Sequence, residues 1–139
     1  MVDATLQGRV WALRFTRVAL GAAFLSGIMS RFGLWGEGVG YGTFAAFVQY
    51  TAEVNAFMPA ATIPFLAWAA TVAELALGIM LVLGIRTRLA ALGSAVLLGL
   101  FGIAMAISFG LKSPLDYSVF SAAGAALLLA LSDSPRPKA

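Results

Sequence analysis

The sequence predicts an all-α membrane protein in which four transmembrane helices form a bundle, with an amphipathic helix between the first and the second. The chain of 139 residues is 61% hydrophobic and 11% charged, whereas soluble proteins are about half apolar and a quarter charged. Its apolar residues are gathered in stretches long enough to cross a bilayer, which takes about 20 helical residues. We therefore predict a single transmembrane domain over residues 1–139.

The second and third spans are predicted from two long apolar runs. Residues 63–83 contain Glu74 as their one charge, and residues 89–109 contain no charge. At a rise of 1.5 Å per residue, each run covers about 30 Å, the thickness of the hydrocarbon core. The last apolar segment is shorter, so the fourth span is predicted over 114–131, with Pro114 in its first turn.

The first span is predicted over about 10–30 because of two arginines. Arg17 and Arg31 leave thirteen residues between them, which cover only about 20 Å as a helix. A spanning helix therefore has to carry Arg14 and Arg17 in the half nearer the N-terminus. The same two arginines interrupt the apolar core that a cleavable signal peptide requires, so we do not expect one.

The distribution of basic residues predicts the orientation. An even number of spans places both termini on one side, and the side richer in Lys and Arg is the cytoplasmic one. The N-terminal side holds seven of the nine basic residues, namely Arg9, Arg14, Arg17, Arg86, Arg88, Arg136 and Lys138. Arg31 and Lys112 fall on the opposite side. Both termini are therefore predicted to be cytoplasmic.

An amphipathic helix is predicted at about 43–58, between the first two spans. Its apolar residues recur at helical spacing and are Phe44, Phe47, Val48, Val54 and Met58. Gln49 and Glu53 lie on another face of this helix. We expect it to lie along the outer membrane surface or to cap the bundle.

Stripes of small residues are expected to bring the helices together, since close approach of backbones drives packing in lipid. Three spans carry such a stripe, and the stripes are Ala19, Ala23 and Gly27; Ala91, Ala95 and Gly99; and Ala122, Ala126 and Ala130.

Glu74 is the principal candidate for function, because an ionised carboxylate in the middle of a span costs several kcal/mol at least (about 2.5–3.5 on insertion scales). Pairing with a guanidinium lowers that cost. Arg17 lies at a comparable depth in the first span, so we expect Arg17 and Glu74 to pair, with Arg14 one turn nearer the surface. Two interpretations remain open, a ligand or proton-handling site and a pair that fixes helix register.

A second group of candidates lies at the opposite ends of the spans. Lys112 and Asp116 are four residues apart and are expected to pair, and Tyr117 suits the interfacial aromatic belt. Trp35, Tyr41 and Tyr50 are expected at the same level. Together with these aromatic residues and with Gln49 and Asn55, they could form the mouth of a site for an amphipathic ligand such as a quinone headgroup. Interfacial anchoring alone is the alternative.

The composition also restricts the chemistry of the chain. It contains no Cys and no His, so disulfides, the commonest zinc sites and a histidine-ligated haem are excluded. We predict no metal site and no covalently bound cofactor. The basic residues follow no continuous polar face, so we expect no nucleic acid partner.

Two stretches resemble the DoxX family of small four-helix bacterial membrane proteins (DoxX/DoxD-like). They are RVALGAAFLSGIMSRFG at 17–33 and AELALGIMLVLGIRTRLAALGSAVLL at 73–98, and the resemblance extends over about 10–131. It implies a multi-pass protein of the bacterial cytoplasmic (inner) membrane with a cluster at Arg17 and Glu74. Family members are associated with thiosulfate and quinone oxidoreduction and with oxidative-stress membrane complexes, although direct sulfur chemistry would need side chains that this sequence lacks. Arg31 stands where a lysine is common in the family.

Two principal hypotheses for function follow. The first is a membrane subunit of a redox-linked complex that binds a quinone or another small lipophilic molecule. In that case Arg17 and Glu74 are the catalytic candidates, the guanidinium holding a developing anion while the carboxyl exchanges a proton. The second is a non-catalytic scaffold or assembly subunit that docks a larger membrane complex. The expected partners are the lipid bilayer and other membrane subunits or further copies of the chain. A small-molecule transporter is a third option.

Overall fold

A computed structural model describes residues 2–132 of the protein. These residues form six α-helices and one short 3-10 turn, in the order α1 (Val2–Arg31), α2 (Phe44–Val54), the turn (Ala60–Thr62), α3 (Ile63–Leu83), α4 (Thr87–Phe109), α5 (Lys112–Asp116) and α6 (Val119–Ser132). The described part of the chain contains no strand. Arg136 and Lys138, which entered the charge count, lie outside the described residues. The all-helical prediction is confirmed for 2–132.

Three of the helices are long and apolar enough to cross a membrane, namely α1, α3 and α4. Helix α3 has the bounds predicted for the second span, and α4 begins two residues before the predicted third span. Helix α1 differs more, because it begins at Val2 rather than near residue 10 and has 30 residues. No proline interrupts this stretch, and Asp3 in the first turn complements the positive end of the helix dipole.

The fourth predicted span, 114–131, is not one continuous helix. The structure divides it into α5 and α6, with Ser118 between them in a left-handed conformation (φ 55°). Helix α6 has 14 residues, which cover about 21 Å, less than the hydrocarbon core of about 30 Å. Pro114 lies in the middle of the short α5 and is buried. A fourth span is therefore not established by helix length.

Helices α3 and α4 form an antiparallel hairpin with a very short connection. Gly84 ends α3 in the left-handed conformation (φ 73°) that favours glycine, and its N–H donates to the Met80 carbonyl. Arg86 is also left-handed (φ 44°) and immediately precedes α4. We call this end of the bundle the turn end, and the opposite end, where α2 lies, the α2 end.

The bundle consists of two closely packed helix pairs, α1 with α3 and α4 with α6. Between the pairs lies an apolar core that combines large and small side chains. Its buried members are Leu20, Phe24, Leu81, Ala90, Ala91, Ala126, Leu129 and Ala130. The predicted stripes of α4 and α6 are confirmed in part, since Ala91, Ala126 and Ala130 are fully buried.

The small-residue stripe predicted for the first span is wrong as a contact within the bundle. Ala19 and Ala23 are exposed, and a Cβ atom on Gly27 would meet nothing within 4 Å. The contact with α3 instead uses Gly21, where a Cβ atom would lie 2.7 Å from Val82 Cγ2 and 2.9 Å from the Gly78 carbonyl oxygen. The contacting face of α1 is therefore rotated away from the stripe.

Helix α2 packs across its end of the bundle, against α1, α3 and α4. Thr43 caps its N-terminus by accepting a hydrogen bond from the Ala46 N–H. Phe47, Thr51 and Val54 form its buried face. The helix is shorter than the predicted 43–58. Of the two positions expected for it, along the membrane surface or over the end of the bundle, the structure shows the second. Its buried face covers the C-terminus of α1.

Candidate functional site: a closed ion pair beneath α2

Glu74 is paired with Arg31, not with Arg17. Arg31 Nη2 forms the salt bridge with Glu74 Oε2, and Nη1 donates a hydrogen bond of 3.0 Å to Thr71 Oγ1. Thr71 is one helical turn before Glu74, so both side chains point from α3 toward the last residue of α1. Thr71 in turn donates to the Ala67 carbonyl at 2.8 Å. The three polar side chains form one connected group.

The register of α1 against α3 explains why the predicted partner is wrong. The two helices run antiparallel, and Arg17 Nη1 lies 2.6 Å from the position that a Cβ atom on Gly84 would take. Gly84 follows Glu74 by ten residues, or about 15 Å along a helix, which is more than an arginine side chain spans. Arg31, fourteen residues after Arg17, lies at the level of Glu74. Arg17 therefore lies at the C-terminal end of α3 and not beside the middle of that helix.

The ion pair is closed off from its surroundings. Arg31 is 5% exposed and Glu74 is 6% exposed. The ring of Phe47 lies over the guanidinium, with Arg31 Cζ 3.7 Å from the ring centroid, a geometry in which the ring face attracts the cation. Phe47 is itself buried. Helix α2 therefore covers the pair from its own side.

The Arg31 guanidinium keeps one donor without a partner among the described residues. Its Nε is buried and makes no hydrogen bond there, although Nη1 and Nη2 are both engaged. A buried charge is tolerated only if pairing compensates for its lost hydration. Here Glu74, Thr71 and the Phe47 ring supply that compensation.

Aromatic side chains surround the cover that α2 provides. Tyr41 meets the Phe47 ring edge-on at 5.2 Å between centroids and lies 5.5 Å from Tyr50. Tyr50 also contacts Phe109, at 6.3 Å. Tyr117 is near enough to both tyrosines for its charge to raise their pKa. We call Tyr41, Tyr50 and Tyr117 the tyrosine cluster.

The hydroxyl of Tyr41 stays protonated over an unusually wide range. Burial is the main cause, with a contribution from Tyr50, and together they raise its pKa to about 12. Burial likewise raises the pKa of Tyr50. The loop that carries Tyr41 is fixed to α1, since the Tyr41 N–H donates to Ser30 Oγ at 2.9 Å. Tyr41 is therefore held between α1 and the Phe47 ring that covers the ion pair.

We expect the free energy of unfolding to fall as pH rises from about 10 to about 12. In that window the unfolded chain has released the Tyr41 proton and the folded chain still holds it, so the folded state binds more protons. Tyr41→Phe should flatten this fall. In an ultraviolet titration of the folded protein, the same variant should lose the last phenol transition, which burial of Tyr41 moves to about pH 12. Survival of that last transition in Tyr41→Phe would contradict the assignment.

The remaining candidates lie outside the buried pair. Arg14 is exposed, with Cζ 5.4 Å from the Trp11 ring centroid, and Gln49 is exposed on α2. Asn55 ends α2, and its Nδ2 donates to the Thr51 carbonyl at 3.0 Å. Gln49 is exposed and the Asn55 amide bonds to its own helix, so no hydrogen bond among residues 2–132 holds either side chain against the tyrosine cluster.

Lys112 and Asp116 pair with each other on α5, as predicted. Both are exposed, so solvent or lipid headgroups screen the interaction and it contributes little to stability. Tyr117, directly after them, is 73% exposed. Among residues 2–132, no group of three or more His, Cys, Asp or Glu could hold a metal ion.

Sequence reasoning missed Arg31 as the partner of Glu74. Glu74 lies eleven residues from one end of its span and nine from the other. This nearly central position favours neither Arg17 nor Arg31, so the sequence already allowed Arg31 as the partner. Phe47 and Thr71 were also missed, although Thr71 shares a helix face with Glu74 at i−3.

Three apolar helices of spanning length, two of which are joined by a buried ion pair, define a multi-pass helical membrane protein. The chain belongs to the DoxX family, whose model matches residues 12–107. The matched range includes α2, α3 and both partners of the ion pair. No curated protein and no solved structure matches the chain.

Proposed function

We propose that the protein is a non-catalytic subunit that docks and stabilises a larger assembly in the membrane, the second of the two hypotheses. The observation that carries this proposal is the closure of the ion pair. Arg31 and Glu74 neutralise each other, and both are at most 6% exposed. A site that exchanges protons or binds a ligand needs one of these groups to be reachable. In this bundle their contacts are used to hold α1, α2 and α3 together.

The surface of α1 supports docking by another helix. Ala19, Ala23 and Gly27 form an i, i+4, i+8 stripe, in which the two alanines are exposed and the half-buried Gly27 has open space beside its Cα. Such small-residue stripes allow a second helix to approach closely in lipid. The partner we propose is a helix of another subunit of a redox-linked complex, and a second copy of this chain is the other outcome to be tested.

Site-specific cross-linking tests this proposal. A photo-reactive amino acid at position 23 is expected to give one discrete product in native membranes. Position 76 is the matched control, because Ala76 is also an exposed alanine within a span. Ala23→Leu should abolish co-purification of the partner in stoichiometric amount, whereas Ala76→Leu should preserve it. A product of twice the chain mass would identify a homo-oligomer, and equal diffuse labelling at both positions would contradict docking at this stripe.

A quinone or similar lipophilic ligand is the second candidate, and the tyrosine cluster favours it. Tyr41 and Tyr50 keep their protons, so their hydroxyls can donate hydrogen bonds to a quinone carbonyl. Lys112 and Asp116 lie just before Tyr117 in the chain. In this proposal the ligand binds at the α2 end without a covalent bond, and Arg17 has no part in it. The catalytic roles of Arg17 and Glu74 stay predictions.

Quantifying lipids that co-purify with the protein distinguishes the two candidates. Quinone in about equimolar amount, reduced by Tyr41→Phe and unaffected by Arg17→Gln, would favour ligand binding. Absence of quinone from a preparation that retains a stoichiometric protein partner would favour the docking role.

The topology we propose has four spans, with both termini on the cytoplasmic side of a bacterial inner membrane. It is supported by the extensive packing of the apolar α6 against α4 and by the basic residues of the turn end. A reporter enzyme active only outside the cytoplasm should be inactive when fused after residue 132 and active when fused within residues 33–42. The reverse pattern would contradict the orientation.

A further inference from the structure

The turn end of the bundle concentrates positive charge. Five arginines lie there, on α1, in the α3–α4 connection and in the first turn of α4, and they are Arg9, Arg14, Arg17, Arg86 and Arg88. The only acidic residue of the described chain at this end is Asp3, in the first turn of α1. None of the five arginines forms an ion pair with a residue in 2–132.

Arg17 is the most constrained member of this group. It is half-buried, and its Nη1 lies against Gly84, 2.6 Å from where a Cβ atom would be. Its Nε is buried and has no hydrogen-bond partner among the described residues. The buried Nε is out of reach of a ligand, but the Nη groups of this half-buried guanidinium are already held in place, so they can bind an oxyanion at little further cost in side-chain entropy.

Arg86 and Arg88 bring further positive charge to the same level. Arg86 comes two residues after Gly84 and directly precedes α4, and both arginines are exposed. No side chain caps the N-terminus of α4, which adds the positive end of a helix dipole beside Arg17.

Apolar side chains continue from this charged group along the spans. Val18 follows Arg17 and is 44% exposed, and Leu83 and Ile85 flank Gly84 with exposures of 66% and 48%. Trp11 lies beside Arg14, and tryptophan is enriched at the level of lipid headgroups. Positive charge at the turn end next to exposed apolar side chains matches a molecule with an anionic headgroup and acyl chains.

We propose that the turn end binds the phosphate headgroup of an anionic phospholipid, with Arg17 as the fixed contact, Arg86 and Arg88 as mobile ones, and the acyl chains along Val18 and Leu83. The exposed apolar residues beside the arginines favour a phospholipid over free phosphate. This inference does not rest on the docking role proposed above, because that role uses a different part of α1.

Native mass spectrometry of the full chain in detergent, titrated with phosphatidylglycerol or phosphatidylcholine, tests the proposal. One bound phosphatidylglycerol is expected at concentrations where phosphatidylcholine does not bind. Arg17→Gln should weaken that binding about fivefold, from the contribution of one basic residue near an anionic membrane surface. Lys112→Gln is the matched control, since it removes one positive charge at the opposite end, and it should change the affinity less than about twofold.

Each of the following outcomes would overturn the proposal. Equal affinity for the two lipids would exclude a charge-selective site, and equal loss in Arg17→Gln and Lys112→Gln would indicate attraction by net charge alone. Displacement of the lipid by inorganic phosphate at similar concentration would indicate an anion site without lipid specificity. If Arg17→Gln does not fold, Arg86→Gln carries the same test, because its side chain is exposed, and unchanged affinity in that variant would also contradict the proposal.

Discussion

Glu74→Leu is expected to lower the free energy of unfolding by about 3–5 kcal/mol, the usual cost of removing one partner from a buried ion pair. The variant leaves Arg31 buried at 5% exposure with no counter-charge, and a guanidinium cannot lose its proton in a protein. Arg31→Met should cost less, because an unpaired carboxyl can become neutral by binding a proton. The midpoint of reversible unfolding in detergent micelles measures both effects.

The double variant Arg31→Met/Glu74→Leu should recover most of this loss, since an apolar pair of similar volume needs no compensating charge. Arg17→Met combined with Glu74→Leu is the matched control, and its effects should add because the structure places Arg17 at Gly84. If the effects on the free energy of unfolding add for Arg31→Met and Glu74→Leu but are coupled for Arg17→Met and Glu74→Leu, the register of α1 against α3 is incorrect. The double variant Arg31→Met/Glu74→Leu also distinguishes a structural role of the ion pair from a functional one. If this variant folds and still binds the partner subunit, the pair serves structure alone.

Gly21→Ala is expected to destabilise the bundle by about 1–3 kcal/mol through overpacking. The added methyl would lie 2.9 Å from the Gly78 carbonyl oxygen and 3.1 Å from the Val82 amide nitrogen. Both are backbone atoms, so α1 and α3 have to move apart to make room. A higher rate of amide hydrogen exchange or of cross-linking at the α1–α3 contact should accompany the lower unfolding midpoint.

Gly27→Ala provides the control on the same helix. A Cβ atom there meets nothing within 4 Å, so the variant should gain about 0.5–1 kcal/mol from the higher helix propensity of alanine. Equal effects of the two substitutions would contradict the face of α1 that we assign to the contact with α3.

The fold follows from the sequence to the extent that it depends on local pattern. Helix α3 has the bounds predicted from its apolar run, because its length and apolar composition define the segment even with the single charge of Glu74 inside it. The break at Ser118 was not predicted, because no glycine or proline stands at 115–123 to mark it. The small-residue stripes were recognised by spacing, but spacing gives a face of a helix and not the neighbour that covers it.

The sequence alone determined that this protein is helical, lies in the membrane and carries one carboxylate too deep to be left without a partner. The tertiary structure decided which arginine is that partner. Helix periodicity constrains the rotation of a helix, whereas its axial position depends on the packing of Gly21 against Gly78 and on the cover that Phe47 provides from α2. Those contacts join residues distant in the chain, and so Arg31 rather than Arg17 reaches Glu74.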